Sequence, residues 1–154
     1  MYYIVPEYDD NNITLSYKNV QCELLQVKDG LATLEGMALD KNQKPFDLVF
    51  LDADKPRLLE YMEALLTNDT LLRKGNGIII VDNTLWKGLV LEACHGYTKK
   101  KNAIKGDEDN NKKSRRARRL ALMMHRFNEQ MKNDDRVDVK LLPLRDGLTV
   151  IRKL

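Results

Sequence analysis

Two short apolar runs, each ending in a carboxylate and separated by one amphipathic segment, constrain this chain more than any other feature. Phe46-Asp47-Leu48-Val49-Phe50-Leu51 runs into Asp52, and Ile78-Ile79-Ile80-Val81 runs into Asp82-Asn83. A run without polar alternation predicts a strand covered on both faces, as in a parallel sheet. Between the runs, Pro56 suits the first turn of a helix. Leu58, Leu59, Met62, Leu65 and Leu66 supply its buried stripe, and Gly75-Asn76-Gly77 breaks the chain before the second run. The segments predict a β-α-β unit with a right-handed crossover. Both strands then point the same way, and their carboxyl ends share the rim where open α/β sheets bind ligands.

Weaker signals surround this unit. Val20 to Val27 is strand-like, Leu31, Leu34 and Ala38 have helical spacing, and Lys41 to Pro45 reads as a turn. Residues 1–19 are polar and aromatic, with the turn-like run Asp9-Asp10-Asn11-Asn12, and stay unassigned. Residues 96–116 read as a surface loop running into a helix, whose core stripe is Ala117, Leu120, Ala121, Met124, Phe127 and Met131. Val137, Val139 and Leu141 alternate with polar residues, and Asp146-Gly147 signals a hairpin turn before Leu148 to Ile151. The expected fold is α/β, mostly parallel with a C-terminal antiparallel hairpin. An unassigned segment, 1–19, precedes a domain over 20–154.

Composition narrows the function classes. A chain of 154 residues supports one core. Its apolar runs are far shorter than the ~20 residues of a membrane span, and Met1 to Pro6 lacks the basic start and apolar stretch of a signal peptide. No membrane partner is expected, and the cytoplasm is the expected location. Cys22 and Cys94 form no framework and read as free thiols. Cys94-His95, with His125 and Cys22 far away in sequence, matches no zinc spacing. The net charge of +3 is small, but Lys112-Lys113-Ser114-Arg115-Arg116-Ala117-Arg118-Arg119 concentrates positive charge. Such a cluster can attract phosphates, which makes a nucleic-acid-binding module one alternative. The neighbouring acidic run Asp107-Glu108-Asp109 partly neutralises it, and no aromatics interleave it for base stacking. A solvated helix start is the preferred reading, and nucleic acid is not the expected partner.

Chemistry concentrates at the two strand ends. On neighbouring strands, Asp52 and Asp82 have backbones ~4.8 Å apart. Their carboxylates repel unless positive charge sits between them. A hard divalent cation meets that need, Asn83 can add a neutral oxygen, and an octahedral shell keeps positions open for water or a chelating substrate. The plainer reading of an Asp at a strand end is a turn former or helix cap. Lys55 follows Asp52 by three residues, where a helix start disfavours positive charge. Beside a metal its proton is more easily lost, which suits a general base. The plainer reading is a solvated surface lysine.

Three segments carry a family resemblance. Phe46-Asp47-Leu48-Val49-Phe50-Leu51-Asp52-Ala53-Asp54-Lys55, Asp82-Asn83-Thr84-Leu85-Trp86-Lys87-Gly88 and Leu142-Pro143-Leu144-Arg145-Asp146-Gly147-Leu148 follow one another in the order and spacing of a known pattern. They resemble the cation-dependent, S-adenosylmethionine-dependent O-methyltransferases of the catechol and caffeoyl-CoA type, over roughly residues 20–154. The resemblance implies a Rossmann-like class I methyltransferase sheet. It implies that Asp52, Asp82 and Asn83 bind a divalent cation, Mg²⁺, Mn²⁺ or Ca²⁺. It makes Lys55 the general base on the acceptor hydroxyl. Asp54 would line the donor side and Trp86 the acceptor side, and Asp29-Gly30 corresponds to the segment passing the donor adenine. The implied reaction moves a methyl group from S-adenosylmethionine to a phenolic oxygen of a small vicinal diol.

The family's donor site also needs a Gly-rich turn after a first strand and an acidic residue after a second. Before Asp52 the only glycines are Gly30 and Gly36, and neither follows an apolar strand. The sheet is therefore expected to be truncated on its N-terminal side, holding the third to seventh strands of the usual seven. An exposed apolar edge on such a sheet predicts low stability or pairing with another chain, a homo-oligomer among the forms. A catalytically silent methyltransferase fold is thus an alternative to an active enzyme.

Overall fold

The structure, a computed structural model, describes residues 2–5, 14–17, 20–26, 29–52, 54–94 and 108–154. Its main sheet has four strands: β4 (Leu48–Leu51), β5 (Ile78–Asp82), β6 (Val137–Leu142) and β7 (Leu148–Lys153), in the order β4-β5-β7-β6. β4 and β5 are parallel, with Leu48 beside Ile78 and Leu51 beside Val81. β7 runs antiparallel to both β5 and β6. Only one strand pair of this sheet is therefore parallel, and the hairpin supplies half of the sheet.

Residues 1–19, unassigned from sequence, contain β1 (Tyr2–Val5) and β2 (Thr14–Tyr17), while the run Asp9 to Asn12 lies outside the described residues. The strand expected near Val20 exists as β3 (Val20–Gln26), but it does not join the main sheet. It pairs in parallel with β1 and antiparallel with β2 in a separate three-stranded sheet.

Helix α1 (Gly30–Leu39) starts at Asp29, whose Oδ1 accepts from the amides of Leu31 at 3.0 Å and Ala32 at 3.2 Å. These bonds satisfy amides that a helix start otherwise leaves unpaired. A 3-10 turn at Lys55–Arg57, with Pro56 inside it, leads into α2 (Leu58–Thr67). α2 buries Leu58, Tyr61, Met62, Leu65 and Leu66, one face at helical spacing. After β5 come a 3-10 turn at Trp86–Gly88, the short α3 (Leu89–Cys94) and the long α4 (Glu108–Lys132). α4 begins before the basic cluster. Ala121, Met124, Phe127 and Met131 are buried as their spacing predicts, while Ala117 and Leu120 are half-buried. Arg115, Arg116, Arg118 and Arg119 lie on its exposed side. Of the loop expected at 96–116, residues 96–107 lie outside the described residues, and residues 108–116 are not loop but the first turns of α4.

The core lies on one face of the sheet. Ile79, Val81, Val137 and Ile151 join the buried side chains of α1, α2 and α4 in one cluster. Lys153 points to the same face, where its Nζ meets Asp69 Oδ1 at 2.9 Å and the Leu65 carbonyl at 3.3 Å. The expectation that the Phe46–Leu51 strand is covered on both faces is not met. Val49 and Leu51 pack against the core, but Leu48 is 43% exposed and Phe50 50%. The helices that follow both strands pack on a single side, so the alternate residues have no layer over them among the described residues. No helix among the described residues is long and apolar enough to cross a membrane.

Candidate active site

The parallel register of β4 and β5 brings Asp52 and Asp82 together. Leu51 stands beside Val81, so the residues that follow leave the sheet side by side at its carboxyl rim. Between them lies Lys55, carried there by the tight turn after β4. Its Nζ donates to the Asp82 carbonyl at 2.8 Å and lies 3.5 Å from Asp52 Oδ1. The lysine side chain is only 8% exposed, whereas that of Asp52 is 59% exposed. A solvated surface lysine is therefore excluded. Burial lowers the Lys55 pKa, and the charges of Asp52 and Asp82 oppose that shift.

The backbone around the rim is held in conformations that few residues adopt. Asp54 has φ 52°, Asn83 φ 59° and Trp86 φ 46°, all left-handed. Asp82 Oδ1 accepts from the Asn83 amide at 2.6 Å. The Asn83–Trp86 segment is then braced from the hairpin. Thr84 N donates to the Gly147 carbonyl at 3.0 Å, and Leu85 N to the Asp146 carbonyl at 2.8 Å. From the other side Asn128 Nδ2 of α4 donates to the Thr84 carbonyl at 2.9 Å. Gly147, at φ 87°, is required here, because a Cβ would lie 2.7 Å from Leu85 N. The third sequence motif is thus the clamp on the second.

Asp29 and Asp54 meet at a second group of charges, centred on Arg57. Arg57 Nη1 lies 3.1 Å from Asp29 Oδ1 and 3.8 Å from Asp54 Oδ2. The Tyr61 hydroxyl donates to Asp54 Oδ2 at 3.5 Å. The Ala32 amide and then Arg57 hold the Asp29 carboxyl below its ordinary range. Asp29 here caps α1 and Gly30 opens it; neither lies in the Asp52–Lys55–Asp82 group. Trp86 is half-buried against the core cluster. Arg57 and Tyr61 were missed from sequence, although Arg57 follows Asp54 by three residues, the spacing of a turn contact.

Among the described residues no group of three or more His, Cys, Asp or Glu could hold a metal. The candidate set has only two carboxylates, with an amide oxygen from Asn83. Its chemistry fits a hard divalent cation, because all three donors are oxygens and they leave one rim together. Cys94 closes α3 and His125 lies half-buried on α4.

An α/β sheet with polar groups gathered at the carboxyl rim of its parallel strands is a frame on which open α/β enzymes bind their ligands, class I methyltransferases among them. The chain belongs to the O-methyltransferase family, whose model matches residues 18–154. It is 36% identical over 118 residues to caffeoyl-CoA O-methyltransferase 1 of Zea mays, covering 77% of this chain and 38% of that protein. The SAH-bound methyltransferase PaMTH1 of Podospora anserina superposes with a TM-score of 0.63 at 26% identity, covering 88% of this chain and 50% of that one. An O-methyltransferase of Bacillus cereus, solved in complex with SAH, superposes with a TM-score of 0.58 at 25% identity over 86% of this chain and 51% of its own. The chain thus spans about half the length of these structures and less of the maize relative.

Proposed function

We propose that this chain supplies the proton-accepting and metal-holding side of an S-adenosylmethionine-dependent methyl transfer to a phenolic hydroxyl of a vicinal-diol small molecule. The observation that carries the reading is the position of Lys55. Its amine is buried at the parallel rim, within reach of both strand ends, and its charged form is disfavoured there. A base at the rim must hold its lone pair ready near neutral or mildly alkaline pH, and burial works in that direction.

Asp52, Asp82 and Asn83 would hold a divalent cation, which when bound supplies charge that favours the phenolate form of a chelating diol. The residues of the chain do the rest. Lys55 Nζ accepts the acceptor's hydroxyl proton. The clamp from Asp146 and Gly147 fixes Asn83 and Trp86 so that the acceptor ring meets a rigid wall. Such fixed alignment of reacting groups can be worth ~7–11 kcal/mol. Asp54 and Asp29, already gathered by Arg57, form the polar wall on the side assigned to the donor. The SAH-bound relatives support S-adenosylmethionine as that donor.

A second reading keeps the fold and the metal set but no activity. It applies to residues 1–154 taken by themselves, in which no Gly-rich turn follows an apolar strand before Asp52. Calorimetric titration of the purified chain with S-adenosylmethionine, with and without Mg²⁺, separates the two. Heat of binding followed by methylation of a catechol supports the first reading. A flat titration leaves the silent fold.

A further inference from the structure

Helix α4 presents a ridge of charge that methyl transfer does not use. From Asn110 to Asn128 the chain has seven lysines and arginines and no Asp or Glu. At about 3.6 residues per turn, Arg115, Arg118, Arg119, Leu122 and Arg126 line one side of α4, opposite the buried Ala121, Met124, Phe127 and Met131. All five are exposed. The arginine ion pairs among the described residues belong to Arg57, Arg73, Arg136 and Arg152. None of the four ridge arginines has a carboxylate partner there.

In sequence, the run Asp107-Glu108-Asp109 stands close enough to neutralise the cluster. The structure separates the two. Glu108 opens α4, and a continuous helix carries the arginines away from it. At a rise of about 1.5 Å per residue, Arg119 lies ~16 Å and Arg126 ~27 Å along the axis from Glu108. Exposed charges are largely screened beyond ~8 Å at physiological salt. The ridge therefore keeps its positive field over most of its length.

The make-up of the ridge selects its partner. An arginine fork matches phosphate oxygens, and every cation on the ridge is arginine. A lipid surface offers phosphates too, but an interfacial helix holds there by sinking an apolar face. The apolar face of α4 is buried in the core, and Leu122 is the only large hydrophobic of the helix exposed among the described residues. Single-stranded nucleic acid is held by bases stacked on aromatic rings, and Phe127, the one Phe, Tyr or Trp of α4, is buried. Duplex DNA needs neither feature. It presents a charge about every 1.7 Å. Its major groove, ~12 Å wide, admits an α-helix, whereas that of duplex RNA is closed to side chains.

We infer that α4 docks on the phosphate backbone of double-stranded DNA through Arg115, Arg118, Arg119 and Arg126, without reading its sequence. The inference is independent of the methyltransferase reading.

The test is fluorescence anisotropy of a labelled DNA duplex about two helical turns long, titrated with the full 154-residue chain at several salt concentrations. The expected dissociation constant is ~10 µM or lower near physiological salt, with no preference between two unrelated duplexes. The fourfold variant Arg115→Gln, Arg118→Gln, Arg119→Gln, Arg126→Gln should bind at least about tenfold more weakly, and its slope of log affinity against log salt should be shallower by about 3. A second fourfold variant, Lys41→Gln, Lys44→Gln, Lys74→Gln, Lys140→Gln, removes the same net charge from exposed positions elsewhere. It should change the affinity by less than about threefold, because those cations release no counterions from the DNA. No binding near physiological salt, or equal losses in the two variants, would overturn the inference. So would tighter binding to phosphatidylserine vesicles, to single strands or to duplex RNA than to duplex DNA. Methyl transfer enters none of these readouts.

Discussion

At the scale of single residues, Lys55 carries the most direct test. Burial, acting against the charges of Asp52 and Asp82, moves its pKa below the ordinary 10.5. The base form therefore grows as pH rises, and kcat/KM should climb along a limb that ends below that value. Lys55→Met should remove the limb and lower the rate by roughly 10²–10⁴-fold, the usual worth of a positioned base. A pH–rate profile on the complete enzyme checks both, and an unchanged limb in Lys55→Met would remove the lysine from the mechanism. Asp82→Asn should weaken Mn²⁺ binding, read by electron paramagnetic resonance, while leaving the fold intact. Legibility at this scale was uneven. Strand ends announced Asp52, Asp82 and Lys55, because a parallel crossover brings them to one rim by topology alone. The convergence of Asp29 and Asp54 on Arg57, with Tyr61 reaching Asp54, was not legible, since it depends on how α1 packs beside α2.

At the scale of elements, the hairpin and α4 hold the rim segment from two sides. Gly147→Ala forces a side chain into a left-handed turn, at roughly 1–2 kcal/mol, and drives its Cβ against the Leu85 backbone. Thermal unfolding should show the loss, and Mn²⁺ affinity should fall with it, because the clamp on Asn83 shifts. Phe127, 1% exposed on α4, anchors the helix in the core. Phe127→Ala should cost about 3–5 kcal/mol in chemical denaturation. Period and turn chemistry revealed these elements: the stripe of α4, the Pro56 turn and the Asp146-Gly147 hairpin all stand where the pattern puts them. The partner of β3 was not revealed. A strand's pattern states that it needs a neighbour but not which one, and β3 found β1 and β2.

At the scale of the whole molecule, one core on one side of the sheet makes a few ties across that core count heavily. Lys153, buried at the end of β7, is tied to Asp69 beyond α2. Its hydrogen bond, and then its charge, hold the Asp69 carboxyl below the ordinary 3.8. This contribution to stability is complete above that value and is lost as pH falls through the lower folded one. Denaturation midpoints measured between about pH 5 and pH 2 should therefore fall more steeply for the parent chain than for Asp69→Asn. Equal slopes would show that the pair adds nothing. The apolar runs foretold a buried sheet but not that its second face would lack a layer among the described residues, since a run of Leu, Val and Phe looks the same with one layer over it as with two.

The brace on Thr84 and Leu85 reaches back from Asp146 and Gly147, close to the last strand. During synthesis the two aspartates of the rim leave the ribosome well before the groups that fix the loop between them. Contacts this distant in sequence form late in folding. A nascent chain released before the hairpin emerges would therefore carry Asp52, Lys55, Asp82 and Asn83, yet have nothing to hold the shape of the loop that follows Asp82.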